Sequence, residues 1–402
     1  MKFNSKTIIF YLICILITFL PLSSWLISLT GMASLTLVRD VLILIMAFLT
    51  VFTIDLKKGN KTICWLVFAF IAWGVLSFFW REASAMQWLK GFRFTFLPII
   101  FFLSLLHYEF NDIQKKVIFR LILAGAIVIL AFAALSLCGI NIPLTTSLSG
   151  QGALESVHYV GNSTIPRLQS ILAGPNALGL YLLAILGLVA ANLKEKKSIR
   201  VLLWPVVLIL FLTFSRSAFI GALVVALLTI FLALKDKIGA LKSALAVIGI
   251  SIVIALAGFI AYKSPSLQNY FTHDNSSSLR YEQYQRIWET KSEIGLLGRG
   301  SGTAGPSSQS RLDGGVNHWT ENIYLDIFEE LGFIGLSLYL VLIGALIYST
   351  YKRGNKSAFL ILTAFAVTGI FINYYTGQVG IFLMWLTAVL ALNDKGKDDS
   401  KE

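Results

Sequence analysis

The sequence predicts an all-α, polytopic membrane protein, and three observations carry that prediction. Of 402 residues, 56% are hydrophobic and only 13% charged, with a positive mean hydropathy. The apolar residues gather in runs of membrane-spanning length, without the one-sided periodicity of a soluble core helix. Basic residues fall in short clusters between those runs, the pattern that sets membrane topology. The formal charge of +12 therefore does not point to nucleic acid, whose binders concentrate Lys and Arg along one face.

A span needs about 20 predominantly apolar residues. That measure gives twelve candidates, near 7–29, 35–54, 62–80, 94–109, 117–138, 168–191, 201–214, 217–234, 244–262, 322–349, 357–374 and 378–393. The first run is long for a signal sequence and lacks a small-residue cleavage site, so it is expected to be a retained helix. Alternating the connections puts 21 of the 33 basic residues on one side and 11 on the other, with Arg39 inside a span. The excess assigns both termini to the cytoplasm and places a long polar loop, 263–321, outside. The chain is expected to be one membrane domain over 1–402, ending in a charged, disordered cytoplasmic tail at 394–402. Pro98, Pro175 and Pro205 lie inside apolar runs, where each removes a backbone donor. Cys14, Cys64 and Cys138 show neither disulfide nor metal-ligand spacing.

Loops on a rigid scaffold carry function, and the loop 263–321 holds two of the four histidines and six basic residues. Arg216, in Leu212-Thr-Phe-Ser-Arg-Ser-Ala-Phe219, falls at a tight turn between two apolar runs. A guanidinium at membrane depth costs about 2.5–3.5 kcal/mol, so it needs a partner or a task. Snorkelling to lipid phosphates is one explanation. A phosphate clamp is the other, because the planar fork meets two phosphate oxygens at once. Arg167 opens the sixth run at the same surface. Arg39 and Asp40 are adjacent and suit a structural ion pair. His107, His158 and His273 have no ligand-spaced neighbours, whereas His318 stands three residues before Glu321, where the loop re-enters the membrane. That pair is a candidate general base. No His/Cys/acidic pattern implies a metal, and no Gly-rich nucleotide loop is present.

Four segments then carry a family resemblance. The run Glu321-Asn-Ile-Tyr-Leu-Asp-Ile-Phe-Glu-Glu-Leu-Gly-Phe-Ile-Gly-Leu336 resembles the H-N-x-Y-L-x-x-x-x-E-x-G-x-x-G-L signature of the O-antigen ligase and polymerase family (Wzy/WaaL type). The stretch from Arg167 to Gly179, with Pro175-Asn176, resembles the family's R…PNxLG helix, and Thr213-Phe-Ser-Arg216 its SRGA segment. Arg280 to Trp288, followed by Gly298-Arg-Gly-Ser-Gly302, resembles the R…W…GxGxG part of its outer loop. There are two departures. Glu321 stands where the ligase pattern has histidine, and Ser217 where it has glycine. The first favours polymerase over ligase.

The resemblance implies a GT-C-like fold and an inverting, metal-independent glycosyltransferase without cofactor, in a bacterial inner membrane. It would polymerise polyprenyl-diphosphate-linked oligosaccharides, with membrane lipid and a chain-length regulator protein as partners. Carried onto this chain, Arg216 and Arg280 would stabilise the leaving diphosphate, aided by Arg167. Glu321 or His318 would take the acceptor's proton, with Glu321 expected to matter more. Arg93, Asn176, Arg299, Asn322 and Tyr324 would bind substrate, and Trp288, Trp319 and Tyr324 would stack on sugars. The alternatives are a ligase acting on lipid A core, a non-enzymatic flippase or transporter of lipid-linked sugars, and a purely structural membrane component.

Overall fold

The computed structural model describes residues 5–52, 60–140, 158–159, 166–193, 197–263, 274–308, 314 and 318–393. His273, Arg311 and the tail 394–402 lie outside them. The fold is almost wholly helical. In order, the helices are α1 Ser5–Thr30, α2 Thr36–Val51, α3 Lys61–Leu76, α4 Ala85–Leu106, α5 Asp112–Leu137, α6 Pro175–Ala191, α7 Lys197–Leu212, α8 Arg216–Ile238 and α9 Ala240–Lys263. They continue as α10 Asp274–Ile294, the single turn α11 Gly305–Ser308, α12 Ile323–Lys352, α13 Lys356–Thr368 and α14 Gln378–Leu392. One two-stranded antiparallel pair, β1 His158–Tyr159 with β2 Pro166–Arg167, sets His158 opposite Arg167.

Among the described residues, six helical stretches are long and apolar enough to cross a membrane: α1, 61–80, α4, α5, α8 and α12. Five further apolar helices are shorter. Helices α6 and α14 are apolar all round and buried all round, so they form the centre of the bundle. Phe102 on Trp385 and Phe101 on Phe382 fasten α4 to α14. At the rim, Leu241, Leu245 and Ile252 of α9 and Val201, Trp204 and Leu208 of α7 are exposed. Exposed apolar surface on this scale marks a multi-pass membrane protein.

Helix ends follow local chemistry. Asn60, Ser84, Asn322 and Asn355 cap the starts of α3, α4, α12 and α13 through their side chains, and Asn111 with Gln114 makes a full capping box for α5. Three sequence boundaries need correction. Helix α4 begins at Ala85 rather than near 94, because hydropathy discounts the turn carrying Gln87, Lys90 and Arg93. Helix α6 begins at Pro175 rather than 168; the proline takes the first helical position, where its missing donor costs nothing, and kinks no span. The run 357–374 is helical only to Thr368, followed by a 3-10 turn at Tyr374–Thr376.

Contacts sort the helix ends into two groups. Tyr108 and Asn393, Arg353 and Leu392, and Lys235 and Tyr351 meet at one end of the bundle. The α3–α4 corner, the starts of α6, α8 and α12 and the end of α13 gather at the other. There the 263–321 region forms helix α10 and a glycine turn that seats in the bundle. Gly302 has φ +87°, and an added β-carbon would collide with the Gln87 carbonyl; Gly91 of α4 in turn has no room for one against Gly302. Helix α12 breaks at Gly332, φ 68° and ψ −169°, where the backbone passes against Leu296 and Gly298.

Candidate active site

Three arginines come together at this second end. Arg167 Nε donates to the Thr213 carbonyl at 3.0 Å and its Nη2 to Asn176 Oδ1 at 3.1 Å. With Leu168 N on Leu212 O at 2.9 Å, it ties the start of α6 to the α7–α8 turn. That turn is tight: Phe214 has φ 48°, and the Thr213 hydroxyl accepts from Ser215 N at 3.2 Å. It delivers Arg216 as the first residue of α8. Arg280, from α10, is ion-paired with Glu321 just ahead of α12. Burial first, and then the charge of Arg216, lower the proton affinity of both Arg167 and Arg280. Three guanidiniums thus share one field, and the carboxylate paired among them is Glu321.

A second cluster lies further along α10 and α12. Glu329, its side chain wholly buried, accepts from Arg286 Nη1 at 2.7 Å and Nη2 at 3.0 Å. Its Oε1 also lies 2.5 Å from His318 Nδ1. Arg286 Nη1, which can only donate, lies 2.8 Å from the same ring nitrogen, so Nδ1 sits between a carboxylate and a guanidinium. Arg299 completes the cluster, with Nη1 3.9 Å from Glu329 and Nη2 3.0 Å from Glu293. Its backbone N–H bonds Glu329 O at 2.9 Å, while Gly302 N–H donates to the Glu330 carboxylate at 2.8 Å. Helices α10 and α12 therefore run side by side, joined by two ion pairs and by Phe333 N on Gly295 O at 3.2 Å.

The residues singled out in the sequence divide accordingly. Arg167, Arg216, Arg280, Asn176 and Glu321 belong to the first cluster; His318 and Arg299 belong to the second. The expected His318–Glu321 pair does not form, since each side chain is taken by a different group. Arg93 is ion-paired with Asp40, as is Arg39, and so bridges α2 and α4 instead of joining the arginines above. Asn322 accepts from Tyr324 N and Leu325 N as a helix cap, and Tyr324 donates its hydroxyl to Ala366 O at 2.5 Å. Both are engaged within the fold. Trp288 is exposed on α10, with Lys291 Nζ 3.3 Å from its ring centre. Sequence reasoning passed over Arg286 and Glu329. The available signal was an acidic pair, Glu329-Glu330, within an apolar helix.

The fold and these clusters define a class: a multi-pass helical membrane protein with arginine–carboxylate chemistry at one end of its bundle. Residues 201–340 match the family model described as O-antigen ligase. That stretch of the chain is similar to the O-antigen ligase/polymerase family, whose members are transferases of O-antigen processing acting on lipid-linked oligosaccharides. The match takes in Arg216, Arg280, Arg286, His318, Glu321 and Glu329, and leaves out Arg167 and Asn176. No curated protein matches the chain.

Proposed function

We propose that this protein is an inverting glycosyltransferase that polymerises polyprenyl-diphosphate-linked oligosaccharides at the outer face of a bacterial inner membrane. The observation that carries the reading is the convergence of Arg167, Arg216 and Arg280 in one field. The acceptor hydroxyl oxygen attacks the anomeric carbon, the bond from that carbon to the diphosphate oxygen breaks, and the diphosphate departs with the electron pair. Arg216 and Arg280 stabilise the charge as it develops. Arg167 holds the turn that presents Arg216. Glu321 is the resident counter-ion of Arg280, which the diphosphate displaces.

The proton goes to His318. In this reading the ring keeps its proton on Nδ1, shared with Glu329, and Nε2 is the nitrogen that accepts. A carboxylate orienting an imidazole in this way is the base-and-orienter arrangement of hydrolytic triads. Glu321 is already engaged with the Arg280 guanidinium. In this reading α2 and the five shorter apolar helices also cross the membrane, giving twelve spans with the six long ones, with both termini cytoplasmic and 263–321 outside.

A ligase differs in acceptor only, and the description of the matching family favours it as the second reading. Purified protein incubated with a lipid-linked repeat unit separates the two. A ladder of lengthened lipid-linked products supports the polymerase. Transfer that occurs only when lipid A core is supplied supports the ligase. No transfer to either acceptor, by protein that binds the lipid-linked donor, refutes both.

A further inference from the structure

A basic site of another kind lies between α2 and α4 and takes no part in the reaction above. The two helices run in the same direction; near their far ends the Thr50 hydroxyl donates to the Ser104 carbonyl at 2.9 Å. Towards their starts two guanidiniums, Arg39 of α2 and Arg93 of α4, close on one carboxylate, Asp40. Arg39 donates to Asp40 Oδ1 from Nε at 2.8 Å, and its Nη2 lies 2.7 Å from the same oxygen. Its guanidinium carbon stands 5.8 Å from the centre of the Phe382 ring on α14. Arg93 meets the other oxygen, Oδ2, through Nε.

The charges here do not balance. Among the described residues Asp40 is the ion-pair partner of both arginines, and the charges that act on Arg39 are those of Asp40 and Arg93. One positive charge is left over. The Arg39 and Asp40 side chains are each 11% exposed, so the excess is largely removed from water, where an uncompensated guanidinium is costly. Donors are left over as well. Among the described residues, Arg39 Nη1 and both Nη nitrogens of Arg93 have no hydrogen-bond partner, and the Arg93 side chain is 34% exposed. The cluster is therefore short of one anion and open to it from the side of Arg93.

The surface around the opening is apolar. Val38, Leu42, Ile45 and Leu49 recur at i, i+4, i+7 and i+11 along α2, starting beside Arg39; Val38 and Ile45 are exposed, and Leu42 and Leu49 half-buried. On α4, Met86 and Leu89 share the face of Arg93 and are exposed. An anion that meets this surface carries apolar chains.

We infer that Arg39 and Arg93 bind the phosphodiester head of an anionic bilayer phospholipid, with an acyl chain along Val38, Leu42 and Ile45. Arginine's planar fork matches two phosphate oxygens, and charge assistance strengthens each bond. A phosphodiester brings the single negative charge that the cluster lacks, whereas a diphosphate overshoots it. The lipid would tie α2 to α4 without entering the glycosyl transfer.

The test is thermal unfolding of the full-length protein in a neutral detergent, titrated with phosphatidylglycerol at constant ionic strength. Parallel titrations use phosphatidylcholine, inorganic phosphate and a polyprenyl diphosphate. A saturable rise in Tm with phosphatidylglycerol is expected, exceeding that with phosphatidylcholine, whose ammonium returns a positive charge. In Arg93→Ala the half-saturating concentration should rise about tenfold or more, as loss of a charged contact entails. Arg93→Lys should recover part of the affinity, and Arg120→Ala, at an exposed arginine of α5, should respond as the parent does. If Arg93→Ala does not fold, Arg93→Gln decides, since it removes the charge and keeps much of the stem. The proposal is overturned by no response to phosphatidylglycerol, or by an equal one to phosphatidylcholine or to inorganic phosphate. It is overturned too by parental lipid dependence in the deciding variant, or by a stronger response to the polyprenyl diphosphate that this variant loses.

Discussion

Removing Arg286 tests whether the two-helix clamp of α10 on α12 holds the site together. Arg286→Ala deletes both guanidinium bonds to Glu329 and leaves a carboxylate whose side chain is 0% exposed. Breaking a fully buried pair costs about 3–5 kcal/mol, most of it the burden of the charge left behind. Here Arg286 is 29% exposed, and His318 and Arg299 still lie close to Glu329. Both facts pull the expectation to the lower end, about 3 kcal/mol. Adding Glu329→Gln removes the stranded charge, so the double variant should be more stable than Arg286→Ala by about 1–2 kcal/mol, a positive coupling between residues in contact. The assay is reversible unfolding in mixed micelles with increasing dodecyl sulfate, with free energies taken by linear extrapolation. Arg286→Ala within about 0.5 kcal/mol of the parent, the range of an ordinary surface substitution, refutes the clamp. So does a double variant no more stable than Arg286→Ala.

Four further outcomes are expected. Arg216→Ala should abolish glycan transfer at normal protein level, and Arg216→Lys should restore only part of it, because an ammonium keeps the charge and loses the fork; unchanged product length in Arg216→Ala removes that residue from the diphosphate site. His318→Ala should lower the rate of transfer by about 10²–10⁴, and Glu321→Gln only a few-fold, measured on protein-matched samples; the reverse order returns the base role to Glu321. Gly302→Ala places a β-carbon against the Gln87 carbonyl at φ +87°, a strained position costing on the order of 1–3 kcal/mol, and limited proteolysis should show a loosened outer loop. Glu289→Cys in a cysteine-free background should react with an impermeant maleimide from outside intact cells; labelling only after permeabilisation inverts the topology.

Hydropathy found the helices because burial in lipid demands long apolar runs, whatever the details of packing. It misplaced ends where polar residues are themselves part of a helix, as at Gln87 and Lys90, and where a proline starts a helix that apolarity alone would begin earlier. The site was half legible. Arg167, Arg216 and Arg280 stood out because a guanidinium among apolar residues must be explained. The pairing of Arg280 with Glu321, and of Arg286 with His318 and Glu329, was not legible, since it depends on α10 lying along α12, and spacing within one segment says nothing about that. His318 and Glu321 looked like partners because they are three apart, yet the backbone between them is not helical. That Asn322 caps a helix and Tyr324 bonds a carbonyl was likewise not legible from the motif in which they sit.

The seating of the glycine turn also ties the completion of this end of the bundle to the last part of synthesis. Gln87 donates both amide hydrogens to carbonyls of Gly302 and Ser307, 215 and 220 residues downstream, and the indoles of Trp80 and Trp73 reach carbonyls 217 and 258 residues away. A ribosome adding about 5–20 residues per second leaves the α3–α4 corner waiting roughly 10–50 s for these partners. During that interval Gln87, fully buried in the finished protein, has to be satisfied by water, lipid head groups or an insertion factor. A truncated chain that stops before α12 would carry all the arginines of the two clusters but not Glu329, the buried carboxylate partner of Arg286 and Arg299. In the proposed function, a half-made copy would therefore lack the carboxylate that anchors His318.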